Sequence, residues 1–155
     1  MTQPRSLTFF IDRCLGSKEI AGSLRQGGIT VEIHDDNFAK DAQDVDWLPQ
    51  VGQRGWIILT KDANIGKRTL ERIAVASARI KMFTLTRQDL SGEDMVAIFL
   101  KAIVPMQEFV RKHPAPFIAK IYRDASIKPW KDHQALLEEL NQYQEAEKSV
   151  EDTHL

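Results

Sequence analysis

The stretch Gly55-Trp-Ile-Ile-Leu-Thr-Lys-Asp62 decides the fold of this 155-residue chain. A glycine opens a short apolar run and a lysine–aspartate pair closes it, which is typical of a buried central strand with Asp62 at its carboxyl end. Ligands bind at this end of the strands in open parallel α/β sheets. The stretch Leu7-Thr-Phe-Phe-Ile-Asp12 has the same form. Two strands are therefore predicted to bring two carboxylates to one edge of a sheet.

The rest of the chain alternates between short apolar runs and segments with helical spacing. The runs predict strands at 7–12, 29–34, 56–60, 81–86 and 117–122. With helices between them, this order predicts a three-layer α/β/α sandwich with a mostly parallel five-stranded sheet. We expect the main domain to span residues 1–130. A C-terminal amphipathic helix, beginning near Lys131, and an acidic tail are expected over residues 131–155.

Composition excludes several classes of protein. Hydrophobic residues make up 43% of the chain, enough for one globular core. The single cysteine, Cys14, and four widely spaced histidines predict neither a disulfide framework nor a structural zinc site. We find no apolar run near the ~20 residues that cross a bilayer, and no signal-peptide pattern at the N-terminus. A cytoplasmic protein without membrane contact is expected.

Charge is unevenly distributed along the chain. The front and the tail are acidic, whereas the middle is basic, which fits a metal site, a solvated helix and a polyanion-binding surface, in that order. Solvated faces that happen to cluster are an equally good explanation. The helix after Asp62 is predicted to turn Leu70 and Ile73 inward, and its basic residues, Lys67, Arg68 and Arg72, outward.

The converging carboxylates favour divalent-metal chemistry. Hard oxygen ligands suit Mg²⁺ or Mn²⁺, which keep several waters and bind phosphates. A metal at this edge can activate water and neutralise charge on a phosphodiester, so hydrolysis of a nucleic acid is the expected reaction. Gly-rich phosphate-binding loops are lacking, because Gly16 and Gly27-Gly28 have neither the spacing nor the position of such loops.

Four segments together resemble a known family. They are Phe9-Phe-Ile-Asp-Arg-Cys-Leu-Gly16, Asp44-Val-Asp-Trp-Leu48, Val51-Gly-Gln-Arg-Gly-Trp-Ile-Ile-Leu-Thr-Lys-Asp62 and Pro116-Phe-Ile-Ala119. This series is similar to the PIN-like domains grouped with the virulence-associated toxins of type II toxin–antitoxin systems, and it is collinear over about residues 7 to 128. The resemblance implies a PIN-type fold, a metal-dependent ribonuclease that acts on RNA, and an antitoxin protein as partner.

The resemblance also implies roles for individual residues. Asp12, Asp44 and Asp62 match the acids that hold the metal and form the catalytic site, and Asp46 is a nearby substitute. Arg13 and Lys61 match basic positions that contact phosphate, although an ion pair that holds the carboxylates apart explains them equally well. The basic residues of the following helix are expected to attract the RNA backbone. Capping of a helix is the alternative explanation for Asp44.

The number of metals and the function both remain open to other interpretations. Fuller PIN nucleases have a fourth acid after the fourth strand, where this chain offers only Asp89, so one bound metal is expected rather than two. A receiver-like phosphoacceptor domain, with Asp62 as the phosphorylated residue, is the second interpretation. A catalytically inactive PIN-like protein-binding module is the third, with the stripe Leu136, Leu137, Leu140 and Tyr143 docking on an antitoxin or on a second copy in a homodimer.

Overall fold

The computed structural model describes residues 7–15, 18–61, 68–86 and 89–153. It contains six strands: β1 Thr8–Ile11, β2 Thr30–Ile33, β3 Ile57–Thr60, β4 Lys81–Leu85, β5 Phe117–Ile121 and β6 Ile127–Lys131. A short 3-10 turn, Arg13–Leu15, follows β1. The described helices are α1 Lys18–Gln26, α2 His34–Asn37, α3 Asp44–Arg54, α4 Thr69–Ser77, α5 Gly92–Lys112 and α6 His133–Thr153.

The strands form one sheet in the order β2-β1-β3-β4-β5-β6. All neighbouring pairs are parallel except β5 and β6, which are antiparallel. The mostly parallel α/β fold is thus confirmed, with six strands instead of the five predicted. β6 follows a tight turn in which Asp124 accepts hydrogen bonds from the backbone and the hydroxyl of Ser126.

Helices cover both faces of the sheet, which gives the three predicted layers. On one face, α1 and α5 contact each other and enclose a core that includes Phe9, Leu24 and Phe99. On the other face, α4 lies between α3 and α6. The core there includes Phe10, Trp47 and Ile118. Because side chains alternate along a strand, the even-numbered residues of β1, β3, β4 and β5 share this second face.

The C-terminal helix is part of the second core. Asp132 caps α6 by accepting a hydrogen bond from the backbone N–H of Ala135 at 2.8 Å, so the helix begins two residues later than predicted. Leu136 is fully buried against the sheet. The predicted domain boundary at residue 130 falls inside β6, which pairs with β5. The division of the chain at that residue remains a prediction.

Helices α5 and α6 are the longest in the fold, at 21 residues each. Ser91 caps α5 by accepting a hydrogen bond from the backbone N–H of Asp94 at 3.1 Å. Across the described ranges, every helix is too short or too polar to span a bilayer.

Candidate active site

Asp12 lies at the carboxyl end of the central strand β1. Phe9, Phe10 and Ile11 before it are buried, and its own residue is only 7% exposed. Its backbone N–H donates to the carbonyl of Leu59 at 3.1 Å, which extends the pairing of β1 with β3. A hydrogen bond of 2.9 Å from Thr60 Oγ1 to Asp12 Oδ2 then orients the carboxylate. The first predicted acid is thus held in place from two strands.

Asp44 lies in the first turn of α3 and holds a buried tryptophan. The residue that caps this helix is Gln43, so capping does not account for Asp44. Instead, Asp44 Oδ1 accepts a hydrogen bond of 3.1 Å from the indole N–H of Trp47, which is 1% exposed. A buried indole needs such a partner. One bond of this kind uses only part of the acceptor capacity of a carboxylate.

An aromatic cluster lies beside these acids on the same face of the sheet. Phe10 is its centre, with ring centroids 5.2 Å from Trp47, 5.9 Å from Trp56 and 6.2 Å from His34. The ring of His34 also meets that of Trp47 edge-on at 5.6 Å. Close packing of this kind fixes the orientation of the Trp47 ring. Through its hydrogen bond, Trp47 in turn limits the orientations of the Asp44 carboxylate.

Two residues of the site were not predicted as such. Thr60 belongs to the Leu-Thr-Lys-Asp motif, and it carries the only polar side chain of β3. A polar side chain at the end of an apolar strand is the signal that could have identified Thr60 from the sequence. His34 is 2% exposed at the end of β2, and its Nδ1 lies 3.5 Å from Asp35 Oδ1. Because it makes no hydrogen bond there within the described residues, its place in the aromatic cluster is its observed role.

The other predicted acids are less informative. Asp62 lies outside the described residues, directly after Lys61 at the end of β3. Asp46 is exposed in the first turn of α3, and Asp89 is exposed shortly before α5. Within the described ranges, no three acidic, histidine or cysteine side chains are grouped closely enough to enclose a metal ion. The assignment of these acids as ligands therefore stays a prediction.

The predicted RNA-binding residues differ in their surroundings. Arg13 is half exposed, and its Nε lies 3.8 Å from Asp35, a loose ion pair. Lys61 is half-buried, and Lys67 lies outside the described residues. Arg68 is 67% exposed and pairs with Glu71 at 3.2 Å.

Arg72 does not face outward as predicted. Its side chain is 17% exposed, and its Nε donates to Glu139 of α6 at 2.8 Å. A contact with RNA stays a prediction for this residue, as for the others, but Arg72 has a structural role as well.

The described donors suit a divalent metal. Asp12 and Asp44 offer carboxylate oxygens, the ligand type that Mg²⁺ and Mn²⁺ prefer. The hydroxyl of Thr60 orients the carboxylate of Asp12 by a hydrogen bond to Oδ2. Asp12, Asp44 and Asp62 would hold the ion. When bound, such a metal lowers the pKa of a coordinated water and offsets charge on a phosphodiester.

The family model described as "PIN like domain" matches residues 7–87, slightly more than half of the chain. The chain belongs to the PIN-like domain family. The matched segment contains all the predicted site acids except Asp89. Topology alone would not have shown this, because the order β2-β1-β3-β4-β5 also occurs in the flavodoxin-like folds that include receiver domains.

A relative in Mycobacterium tuberculosis (strain ATCC 25618 / H37Rv) bears the name "Putative ribonuclease VapC45". It is 28% identical to this chain over 117 residues, which cover 73% of this chain and 84% of the relative. No solved structure matches the chain significantly.

Proposed function

We propose that this protein is a metal-dependent endoribonuclease, the toxin of a toxin–antitoxin pair. The observation that carries the proposal is the buried carboxylate of Asp12 at the carboxyl end of the central strand, oriented by Thr60, in a chain that belongs to the PIN-like family. The Mycobacterium tuberculosis relative is named as a ribonuclease, which supports the same proposal. Hydrolysis of an RNA phosphodiester with Mg²⁺ or Mn²⁺ is the reaction that such a donor set serves best.

Each residue has a defined part in this proposal. Asp12, Asp44 and Asp62 hold the metal, and Asp46 and Asp89 are further candidate ligands. Thr60 and Trp47 act as positioning residues, since each makes a hydrogen bond to one of the metal-binding carboxylates. The predicted cations, Arg13, Lys61, Lys67, Arg68 and Arg72, attract the phosphates, and this attraction weakens with salt.

A cleavage assay tests the proposal. The full chain is incubated with labelled single-stranded RNA in Mg²⁺, in Mn²⁺ and in a chelator. We expect cleavage only with metal. Asp12→Asn and Asp62→Asn should each lower the rate at least about 10-fold, the loss that follows even removal of a ligand's hydrogen-bond partner. Asp41→Asn is the matched control, because Asp41 is an exposed acid between α2 and α3 that has no part in the proposal. If both site variants cleave as fast as the wild type, the mechanism is wrong.

The toxin assignment has its own test. Expression of the wild-type chain in a bacterial cytoplasm, its predicted location, should arrest growth, whereas the Asp12→Asn chain should not. Co-expression of a small DNA-binding protein encoded beside it should restore growth if that protein is the antitoxin. Cleavage in vitro without arrest of growth would support the nuclease and remove the toxin role.

The two partner proteins that we propose are an antitoxin and a second copy of the chain. Both would use the predicted stripe of α6, in which Leu136 is fully buried and the other three residues are partly exposed: Leu137, Leu140 and Tyr143. Mass in solution of the full chain and of a chain that ends before residue 131 separates these roles from a purely intramolecular one. Because Leu136 is fully buried, we expect the shortened chain to be destabilised.

A further inference from the structure

A second polar feature crosses the sheet from Asp12. The strand register aligns Thr60 with Thr84, Thr84 with Lys120, and Lys120 with Lys128. Thr60 in turn bonds to Asp12. These five residues thus form one row on the α3–α4–α6 face of the sheet. Neighbouring strands lie ~4.8 Å apart, so Lys120 lies ~14 Å from Asp12 and Lys128 ~19 Å from it.

The far end of this row concentrates positive charge, because it ends in two lysines. Lys120 and Lys128 are directly opposite each other on β5 and β6. Like charges at opposite positions of an antiparallel pair are destabilising. Within the described part of the chain, neither lysine has an acidic side chain at ion-pair distance. An anion between them would remove this repulsion.

Aromatic rings accompany the two lysines. Lys120 Nζ lies 5.5 Å from the ring centre of Trp130, and Lys128 Nζ lies 5.7 Å from that of Tyr122. Trp130 is 37% exposed, and Tyr122 is partly exposed. Alternating rings and cations are the means by which proteins bind single-stranded nucleic acid, since bases stack on the rings and phosphates pair with the cations.

An open cleft lies beside Lys128 at this end of the row. The cleft has a volume of about 570 Å³ and is lined by Thr86, Tyr122, Arg123, Asp124, Ser126 and Lys128. It lies beyond the carboxyl ends of β4 and β5, the same end of the parallel strands that carries Asp12. Thr84 lies on β4, between Thr60 and Lys120 in the row, and its buried Oγ1 makes no hydrogen bond to any described residue.

We propose that the β5–β6 hairpin is a binding surface for single-stranded RNA, with phosphates on Lys120, Arg123 and Lys128 and bases stacked on Tyr122 and Trp130. The surface leads the strand along the carboxyl edge of the sheet toward Asp12. This inference rests on the proposed ribonuclease function, because the ligand is named from it. It adds a second contact region at the β6 edge of the sheet, whereas Arg13 follows β1 near the other edge.

Protection of a sheet edge is the competing explanation. Lysines and a proline on an edge strand prevent pairing with another chain, and β6 contains Lys128, Pro129 and Lys131. Lys131 fits that explanation, as it pairs with Glu139 at 2.8 Å. Edge protection does not require Tyr122 and Trp130 beside the lysines, or a cleft at the carboxyl edge.

The test measures equilibrium binding of the full chain to a fluorescent single-stranded RNA of about 12 nucleotides, within the usual site size of such surfaces. A chelator is present, so that no metal-dependent cleavage occurs. Lys120→Gln together with Lys128→Gln should weaken binding at least about 10-fold. The slope of log affinity against log salt should become shallower by about 1.4, since each lost phosphate contact contributes about 0.7 for single strands. Arg111→Gln together with Lys112→Gln, which removes two exposed positive charges from α5, is the control and should leave both quantities unchanged.

The aromatic residues give an independent readout. Trp130→Leu should weaken binding about 5- to 100-fold without changing the salt slope, because stacking carries no counterion release. Trp130→Phe retains a ring and should restore most of the affinity. Thermal unfolding of each variant checks that the fold is kept.

The possible results separate this surface from the nuclease proposal. If the double lysine variant binds RNA with wild-type affinity and slope while the wild type cleaves RNA, the surface is disproved and the nuclease stands. If the lysine variant instead aggregates with unchanged RNA affinity, edge protection is the role of the lysines and the surface is also disproved. If the wild type binds as expected but does not cleave with any metal, the surface stands and the nuclease proposal fails.

Discussion

Thr60 on β3 donates a hydrogen bond of 2.9 Å to the carboxylate of Asp12 on β1, and both residues are more than nine-tenths buried. The two residues are 48 positions apart in the chain, so only the parallel pairing of β1 with β3 brings them together. A bond from a fixed strand hydroxyl restricts the carboxylate to one orientation. The geometry of the candidate metal site therefore depends on the register of two central strands.

Replacing Thr60 by valine tests this dependence. Thr60→Val keeps the shape of the side chain but removes one hydrogen bond to the buried carboxylate of Asp12, so we expect about 1–3 kcal/mol lower stability, the usual cost of losing one partner of a buried polar group. RNA cleavage should fall by about 10- to 100-fold. Thr60→Ser, which retains the hydroxyl, should restore most of the rate. Urea unfolding and a cleavage assay measure the two effects. Equal rates for the valine variant and the wild type would contradict a positioning role.

Replacing Trp47 by phenylalanine tests the support of Asp44. Trp47→Phe keeps an aromatic ring beside Phe10 but loses the indole N–H that binds Asp44. We expect a loss of stability of about 1–3 kcal/mol and a clear drop in cleavage rate. Trp56→Phe is the control, because Trp56 also stacks on Phe10. Both variants should lose some stability, but only the Trp47 variant should lose cleavage beyond the fraction that is unfolded. A similar loss in the two variants would argue against the role of Asp44.

The ion-pair network of Glu139 predicts a pH dependence of stability. Burial raises the pKa of Glu139, but hydrogen bonds from Lys131 and Arg72 outweigh this and hold its pKa below the usual value. Because the pKa is lower in the folded state, the network stabilises the fold fully above the pKa of the unfolded chain. This stabilisation is lost progressively as the pH falls below the ordinary glutamate value of 4.5 and through the lower folded pKa.

Glu139→Gln should therefore lower the free energy of unfolding by about 1–3 kcal/mol at neutral pH and make stability less dependent on pH in the acid range. Denaturant titrations at pH 7 and at about pH 3 measure the difference. Glu138→Gln is the matched control, because Glu138 is exposed and accepts a long hydrogen bond of 3.5 Å from Gln134. A wild-type-like pH profile for the Glu139 variant would show that the network adds nothing to stability.

α3 lies so close to the end of α4 at Gly52 that adding one methyl group there should destabilise the fold. A Cβ on Gly52 would lie 2.1 Å from the carbonyl oxygen of Ala78, a backbone atom that cannot move aside alone. We expect Gly52→Ala to destabilise the fold by about 1–3 kcal/mol or more. Gly22→Ala is the control, since nothing lies within 4 Å of a Cβ at Gly22 in α1, and it should stabilise the protein by about 0.5–1 kcal/mol. Thermal unfolding of both variants should give shifts of opposite sign.

Much of the fold could be predicted from residue patterns alone. The apolar runs that end in Asp12 and Thr60 form central strands, because a strand buried on both faces needs a continuous apolar sequence. β6 was missed for the opposite reason. Pro129 and the lysines around it have no strand pattern, and pairing with β5 alone makes this segment a strand.

The helix after β3 shows a similar limit. Leu70 was predicted to face inward, yet it is 61% exposed, whereas Ile73, Val75 and Ala76 are buried. Because α4 contacts both α3 and α6, its buried surface is wider than a single helical stripe. The buried surface is also rotated about the helix axis relative to the stripe that was predicted. The inward turn of Arg72 toward Glu139 has the same cause.

The sequence by itself determined the class of the sheet, the placement of Asp12 at the end of a central strand and the family, because these depend on local patterns and on the order of motifs along the chain. Only the tertiary structure decided what orients the acids: the hydroxyl of Thr60 for Asp12, and the indole of Trp47 for Asp44. It also decided the row from Asp12 to Lys128, since strand register joins residues far apart in sequence. Register is set by packing over the whole sheet, which no single stretch of sequence contains.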